Sequence, residues 1–352
     1  MKKNALRDSL LMIVIGVGLT RSGLGQDASG KMTADLRRQV IEAATLELEA
    51  KYVYPDAGKA MGARLLANLK AGAYDRIDDP EDLAKRLESD LQTVHADKHL
   101  ELVYVGDHII GAGGGSGLSP KTLARLRDFE RFSNFDFQKV ERLPGNVGVL
   151  VIKAITGGPE MRATVAGAMA FLANTDALIL DLRECQGGGG ETLTYLCSYF
   201  FEDRTELTGF YDRIANKLER RWTQRVSGPK YLDKPVFVLT SSKTPSAAES
   251  LAYTLQAAKR AIIVGQTTWG GANPSMPVKL TDHFGMIMPF GRAVNPITHG
   301  NWEGTGVIPD IKSEAPQALI EAYRRALQDV QANYQDEWMR EEIQKALEAL
   351  KR

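Results

Sequence analysis

The stretch Leu178-Ile179-Leu180-Asp181-Leu182-Arg183, followed by Gly187-Gly188-Gly189-Gly190-Glu191, decides the fold. A short apolar run bounded by glycines reads as a strand buried on both faces, and the glycines before a helical pattern place a tight turn at its end. The same alternation continues on both sides. The spacing predicts strand 147–152, helix 161–174, strand 177–182, helix 191–201, strand 236–239, helix 247–258 and strand 261–264. Strands separated by helices define an α/β class, with βαβ units around a mainly parallel sheet covered on both faces. A binding or catalytic edge belongs at the C-terminal ends of such strands. After Gly265 the pattern turns to short strands and loops, and a helical tail runs from Ala315 to Leu350.

Upstream, 36–54, 57–69 and 80–94 have helical spacing, the last opening after Asp78 and Asp79 with acidic residues in its first turn. Residues 100–105 read as a short strand, and 111–117 are glycine-rich. The expected organisation is a signal peptide at 1–25, an N-terminal helical domain at 32–110, a linker at 111–140, an α/β core at 141–330 and a C-terminal helical tail at 331–352. The leader is read from Lys2, Lys3 and Arg7, the apolar stretch Leu10 to Leu19 and the small residues Ser22 to Gly25. Its apolar run falls short of the roughly 20 residues that span a bilayer, and no later segment is long enough. The expected compartment is therefore secreted or periplasmic.

Of the 352 residues, 44 are Lys or Arg and 44 are Asp or Glu, so no global field draws the chain to nucleic acid or an anionic membrane. Two cysteines, Cys185 and Cys197, are too few for a disulfide scaffold, and one bridge is the most they could make. Neither a G-x-G-x-x-G nor a G-x-x-x-x-G-K-[ST] pattern is present, which leaves nucleotide binding unsupported. His95 and His99 are four apart, but Ala96 stands where the glutamate of a zinc-binding H-E-x-x-H helix belongs. No metal or cofactor is expected.

Two stretches carry chemistry. Glycines 187–190 let bare backbone N–H groups converge on an anion or a developing oxyanion, although on this run alone a flexible loop is the simpler explanation. Ser246-Ala247-Ala248-Glu249 sits between a strand and an apolar helix with the S-x-x-E spacing of a capping box. The alternative is an exposed nucleophile at a strand-to-helix turn, backed by the positive end of the helix. Both turns follow parallel strands, so both can face one crevice.

The run Thr240 to Glu249, with Ser246 in Thr244-Pro245-Ser246-Ala247, combines with Val264-Gly265-Gln266-Thr267-Thr268-Trp269-Gly270-Gly271-Ala272, Asp181-Leu182-Arg183, Gly291 to Thr298 and Trp302 to Asp310. Together these resemble the tail-specific (C-terminal processing) serine peptidase family, in the branch of the interphotoreceptor retinoid-binding protein and tricorn-core peptidases. The likeness runs from Met32 to about Ala326. It implies a crotonase- or ClpP-like core with a small N-terminal helical domain, and a serine nucleophile that matches Ser246. In the C-terminal processing branch a lysine base follows the serine by 25 residues, whereas here that position is Gly271. The tricorn-like branch implies instead a histidine base at His99 and a glutamate at Glu303. Gly188 and Ala247 are the implied oxyanion donors, with Gly187 and Glu249 in support. No segment between His99 and Val147 reads as a PDZ domain.

The expected function is a serine endopeptidase acting on unfolded or short peptides, with an oligomer compatible with the sequence. The rival reading is a carrier of retinoid or fatty acid, since the retinoid-binding relatives imply that this fold accommodates lipids.

Overall fold

A computed structural model describes residues 32–105 and 120–351 of the chain. The expected leader and the glycine-rich break at 111–117 lie outside them. In chain order the elements are helices α1 (Ala34–Lys51), α2 (Pro55–Lys70) and α3 (Pro80–Val94), strand β1 (Glu101–Tyr104), helix α4 (Pro120–Phe132), strands β2 (Phe137–Leu143) and β3 (Val147–Ile152), and helix α5 (Arg162–Leu172). Strand β4 (Ala177–Asp181), helix α6 (Gly190–Cys197), strands β5 (Glu206–Asp212), β6 (Lys217–Trp222) and β7 (Val236–Thr240), and helix α7 (Ser246–Ala257) follow. The chain continues through β8 (Ile262–Gly265), β9 (Ser275–Lys279), β10 (Phe284–Pro289), β11 (Gly291–Val294) and β12 (Ile311–Lys312) to helices α8 (Ala318–Asn333) and α9 (Glu337–Ala349). Part of the stretch expected to be a linker thus carries regular structure, in α4 and β2.

The chain divides into two compact units. The first takes its described residues from Met1–Leu126, Phe210–Glu219 and Asn273–Ala293, and the second from Arg127–Gly209, Arg220–Ala272 and Val294–Arg352.

In the first unit Thr33 caps α1 by accepting the Leu36 N–H at 3.1 Å, and Asp79 caps α3 by accepting the Asp82 N–H at 2.9 Å. The unit is not purely helical. Strand β1 pairs antiparallel with β10, and β10 with β9, so a three-stranded sheet in the order β1-β10-β9 closes the core. Ile41, Leu48, Met61 and Leu87 from the helices share one buried cluster with Leu102 and Phe284 from the sheet.

The second unit is built on a six-stranded sheet in the order β12-β8-β7-β4-β3-β2, parallel except for β2. Every residue of β4 and β7 is buried, as a parallel strand covered on both faces requires. Val149, Ile179 and Phe237 on one face pack with Ala322, Ala326 and Leu327 of α8. Ile343 and Ala346 of α9 join the same cluster, so the expected tail is part of this core. On the other face Gly148 leaves room for Leu172 of α5, whose Cδ2 would lie 2.5 Å from an added Cβ. Strands β5, β6 and β11 form a third sheet in the order β11-β5-β6.

Register places Asp181 beside Leu239, so β4 and β7 end side by side. The glycine turn and the Ser246 turn therefore emerge at the same edge of the sheet, where ligands meet open α/β sheets.

Candidate active site

Past the end of β7 the chain makes a tight turn whose hydroxyls fix it to the turn after β4. Thr244 Oγ1 donates to the Leu182 carbonyl at 2.9 Å and accepts the Ser241 N–H at 2.9 Å, and Ser241 Oγ donates to the Arg183 carbonyl. Arg183 is itself held by a two-pronged pair with Asp181, at 2.9 and 2.6 Å. These bonds bring the Ser246 turn against the glycine turn: a Cβ on Gly187 would sit 3.1 Å from Ser246 Cβ and 3.0 Å from the Pro245 carbonyl oxygen.

Ser246 opens α7 with φ at +52°, a left-handed conformation that costs an L residue roughly 1–2 kcal/mol. Such strain at a strand-to-helix turn presents a side chain away from the helix, as in a nucleophile elbow. The capping box forms by half. Glu249 reaches back to accept the Ser246 N–H at 2.8 Å, while among the described residues the Ser246 hydroxyl accepts no N–H of the helix start. The left-handed backbone at Ser246 is not the extended conformation of an ordinary side-chain cap.

Glu249 is wholly buried. Besides the Ser246 N–H, its carboxylate accepts the Gly270 N–H at 2.6 Å, the Gly271 N–H at 3.0 Å and the Thr268 hydroxyl. Burial pushes its carboxyl above the ordinary range, and the four donors oppose that shift. Only an ionised carboxylate has acceptor capacity for all four. The strap 268–272 that it holds continues into the Trp302 turn. Trp302 Nε1 donates to the Gly271 carbonyl at 3.0 Å, and Glu303 Oε2 accepts the Ala272 N–H at 2.6 Å.

Gly188 and Ala247 lie on the two turns that meet beside Ser246. Ile155 pairs in parallel with Gly188, donating to the Gly187 carbonyl at 2.6 Å and accepting from the Gly189 N–H at 2.9 Å. In that ladder pattern the Gly188 N–H points to the opposite edge of the segment. Gly188 has φ at +132°, and a Cβ there would come within 2.1 Å of the Ile155 oxygen, so only glycine fits. The Ala247 N–H lies in the first turn of α7, where no intrahelical acceptor exists.

Of the residues singled out in the sequence, Ser246, Ala247, Gly187, Gly188, Glu249 and Glu303 are gathered in the second unit, the last through the strap. His99 belongs to the first unit. It is 6% exposed, on the turn between α3 and β1, and burial pushes its imidazole below the ordinary value of 6.5 against the opposing pull of Asp97. Its backbone N–H donates to Asp97 Oδ1 at 3.0 Å. Sequence reasoning passed over Thr244, Thr268 and Asp97. Thr244 carried a signal, a hydroxyl beside Pro245 in a turn, whereas the other two depend on contacts distant in sequence.

Cys185 and Cys197 are free, and burial pushes both thiols up to about 12. Among the described residues no three His, Cys, Asp or Glu side chains gather as metal ligands, and no helix is long and apolar enough to cross a membrane.

At the C-terminal edge of a buried parallel sheet, the left-handed Ser246 thus stands against the Gly187–Gly188 turn. The chain carries a peptidase family S41 domain, whose model matches residues 146–313, and the model for the N-terminal domain of peptidase S41 in eukaryotic IRBP matches 33–114. A carboxyl-terminal-processing protease of Synechocystis sp. is 29% identical over 144 residues, which is 40% of this chain and 32% of that protein. The chain spans about a third of the length of the curated relatives it matches. Among solved structures, a lipoprotein from Streptococcus agalactiae superposes with a TM-score of 0.55 at 16% identity, covering 88% of this chain and 100% of that one. The tricorn protease superposes with a TM-score of 0.50 at 14% identity, covering 90% of this chain and 37% of that one. The structural likenesses establish the mixed α/β fold.

Proposed function

We propose that this chain is a serine endopeptidase that hydrolyses unfolded or short peptides, working in a secreted or periplasmic compartment on a crotonase- or ClpP-like core. The observation that carries the reading is Ser246, held left-handed at the end of a buried strand, its N–H bound by Glu249 and the glycine turn against its Cβ. In this reaction His99 takes the Ser246 hydroxyl proton as the oxygen attacks the scissile carbonyl. It then returns that proton to the leaving amine, and water repeats the sequence on the acyl-enzyme. Glu303 orients the imidazole or acts through a neighbouring polar group, and the Gly188 and Ala247 N–H groups receive the developing oxyanion. Burial of His99 supports its part, because an imidazole kept neutral at neutral pH is ready to accept a proton.

The compartment rests on the basic, apolar and small residues of 2–25. The test is hydrolysis of fluorescein-labelled casein by wild type and by Ser246→Ala. Turnover by wild type that falls at least a thousandfold in the folded variant is expected. Equal turnover by the two proteins overturns the assignment. No turnover by either, with saturable binding of a fluorescent fatty acid, turns the reading to a lipid carrier.

A further inference from the structure

The His99 turn is held by a carboxylate that the reaction as written does not use. Asp97 is 1% exposed, and each of its polar groups is engaged. Oδ2 accepts the Tyr52 phenol at 2.9 Å and Asn273 Nδ2 at 3.0 Å, while Oδ1 accepts the His99 N–H. Its backbone is bracketed by Gln92, whose Oε1 accepts the Asp97 N–H at 3.0 Å and whose Nε2 donates to the carbonyls of Asp97 and Leu100 at 2.8 and 3.2 Å. Tyr52 is fixed in turn, since Arg213 donates to the carbonyls of Glu49 and Tyr52 at the end of α1.

An ionised carboxylate this deeply buried is expensive, and its three side-chain-directed donors are all neutral. A turn of six residues does not need it: Gln92 already satisfies the backbone, and an asparagine in place of Asp97 would still accept the His99 N–H. What a neutral residue would lack is a carboxylate two residues from the imidazole. We propose that Asp97 is a positioning residue for His99, holding its turn and bringing the charge of its carboxylate to bear where the imidazole gains a proton during the reaction. The inference rests on the assignment of His99 as the base.

Tyr52 and Asn273 tune that charge. Each donor spreads it, so the pull that His99 feels is set by Asp97 together with the Tyr52 phenol just past α1 and the neutral Asn273 amide ahead of β9. Removing the charge and removing a donor should therefore act in opposite directions on the imidazole.

The experiment is an NMR titration of the His99 ring in full-length wild type, Asp97→Asn and Tyr52→Phe, with kcat and KM on casein peptides measured across pH. Asp97→Asn should titrate at lower pH than wild type and Tyr52→Phe at higher pH. In Asp97→Asn, kcat should fall at least tenfold with KM little changed, the acid limb of kcat/KM moving with the titration. If Asp97→Asn does not fold, the upward shift in Tyr52→Phe carries the test alone. Wild-type hydrolysis with an unmoved His99 titration in the folded variants overturns the role of Asp97. A moved titration in a wild type that hydrolyses nothing overturns the peptidase reading and leaves the Asp97–His99 coupling standing.

Discussion

The buried Glu249 carboxylate accepts the backbone N–H of Ser246 at 2.8 Å, while among the described residues the serine hydroxyl accepts no N–H of the helix start. One side chain thus fixes the turn that aims the serine and, through the N–H groups of Gly270 and Gly271, the strap that reaches Glu303. Replacing Glu249 by Ala strands four buried donors. The expected loss is about 3–5 kcal/mol. Urea unfolding measures it, and a loss under about 1 kcal/mol would contradict the hub role.

Because the Ser246 hydroxyl accepts no N–H of the helix start, Ser246→Ala should change stability by less than about 0.5 kcal/mol rather than the 0.5–2 of a lost side-chain cap. Ser246→Gly should be as stable or more so, since glycine relieves the strain at φ +52°. Thermal melts of the two variants decide the point. A marked drop in Ser246→Ala alone would mean that the hydroxyl does cap α7.

Gly188→Ala puts a methyl 2.1 Å from the Ile155 oxygen at a φ that alanine avoids. The segment must move, at a cost on the order of 3 kcal/mol. The proposed oxyanion donor moves with it, so kcat should fall at least a hundredfold, as when one such donor is removed. Wild-type kcat in the folded variant would remove Gly188 from the reaction.

His99 gives stability a pH dependence of known sign. Its folded value lies below the ordinary 6.5, so as pH falls below about 6.5 the unfolded chain binds more protons than the folded one. The stabilising contribution is therefore complete above that pH and is lost on descent toward the folded value. Urea midpoints between pH 8 and 5 should fall more steeply in wild type than in His99→Gln. Parallel profiles would contradict the burial argument.

Much of this was legible because it is local. The apolar run before Gly187 and the S-x-x-E after β7 each announce a strand end and a helix start, and parallel neighbours put them at one edge. Strands β2 and β6 escaped because Phe137–Leu143 and Lys217–Trp222 are charged and lie largely at the surface, without clean alternation. The sheet of the first unit escaped for another reason: Leu102 pairs with Met286, a partner no window along the chain can reveal. The S-x-x-E spacing left cap and nucleophile both open at Ser246, because spacing alone does not disclose a positive φ. Asp97 was invisible as a holder of His99, since its meaning lies in Tyr52 and Asn273, far along the chain on either side.

The central claim is that Ser246 is an activated nucleophile, and the most direct measurement is its reaction with an active-site-directed fluorophosphonate, read by peptide mass mapping. Stoichiometric modification confined to Ser246, abolished in Ser246→Ala and slowed at least a hundredfold in folded His99→Gln, is the predicted result. No modification of native wild type, or a label spread over other serines, would contradict it.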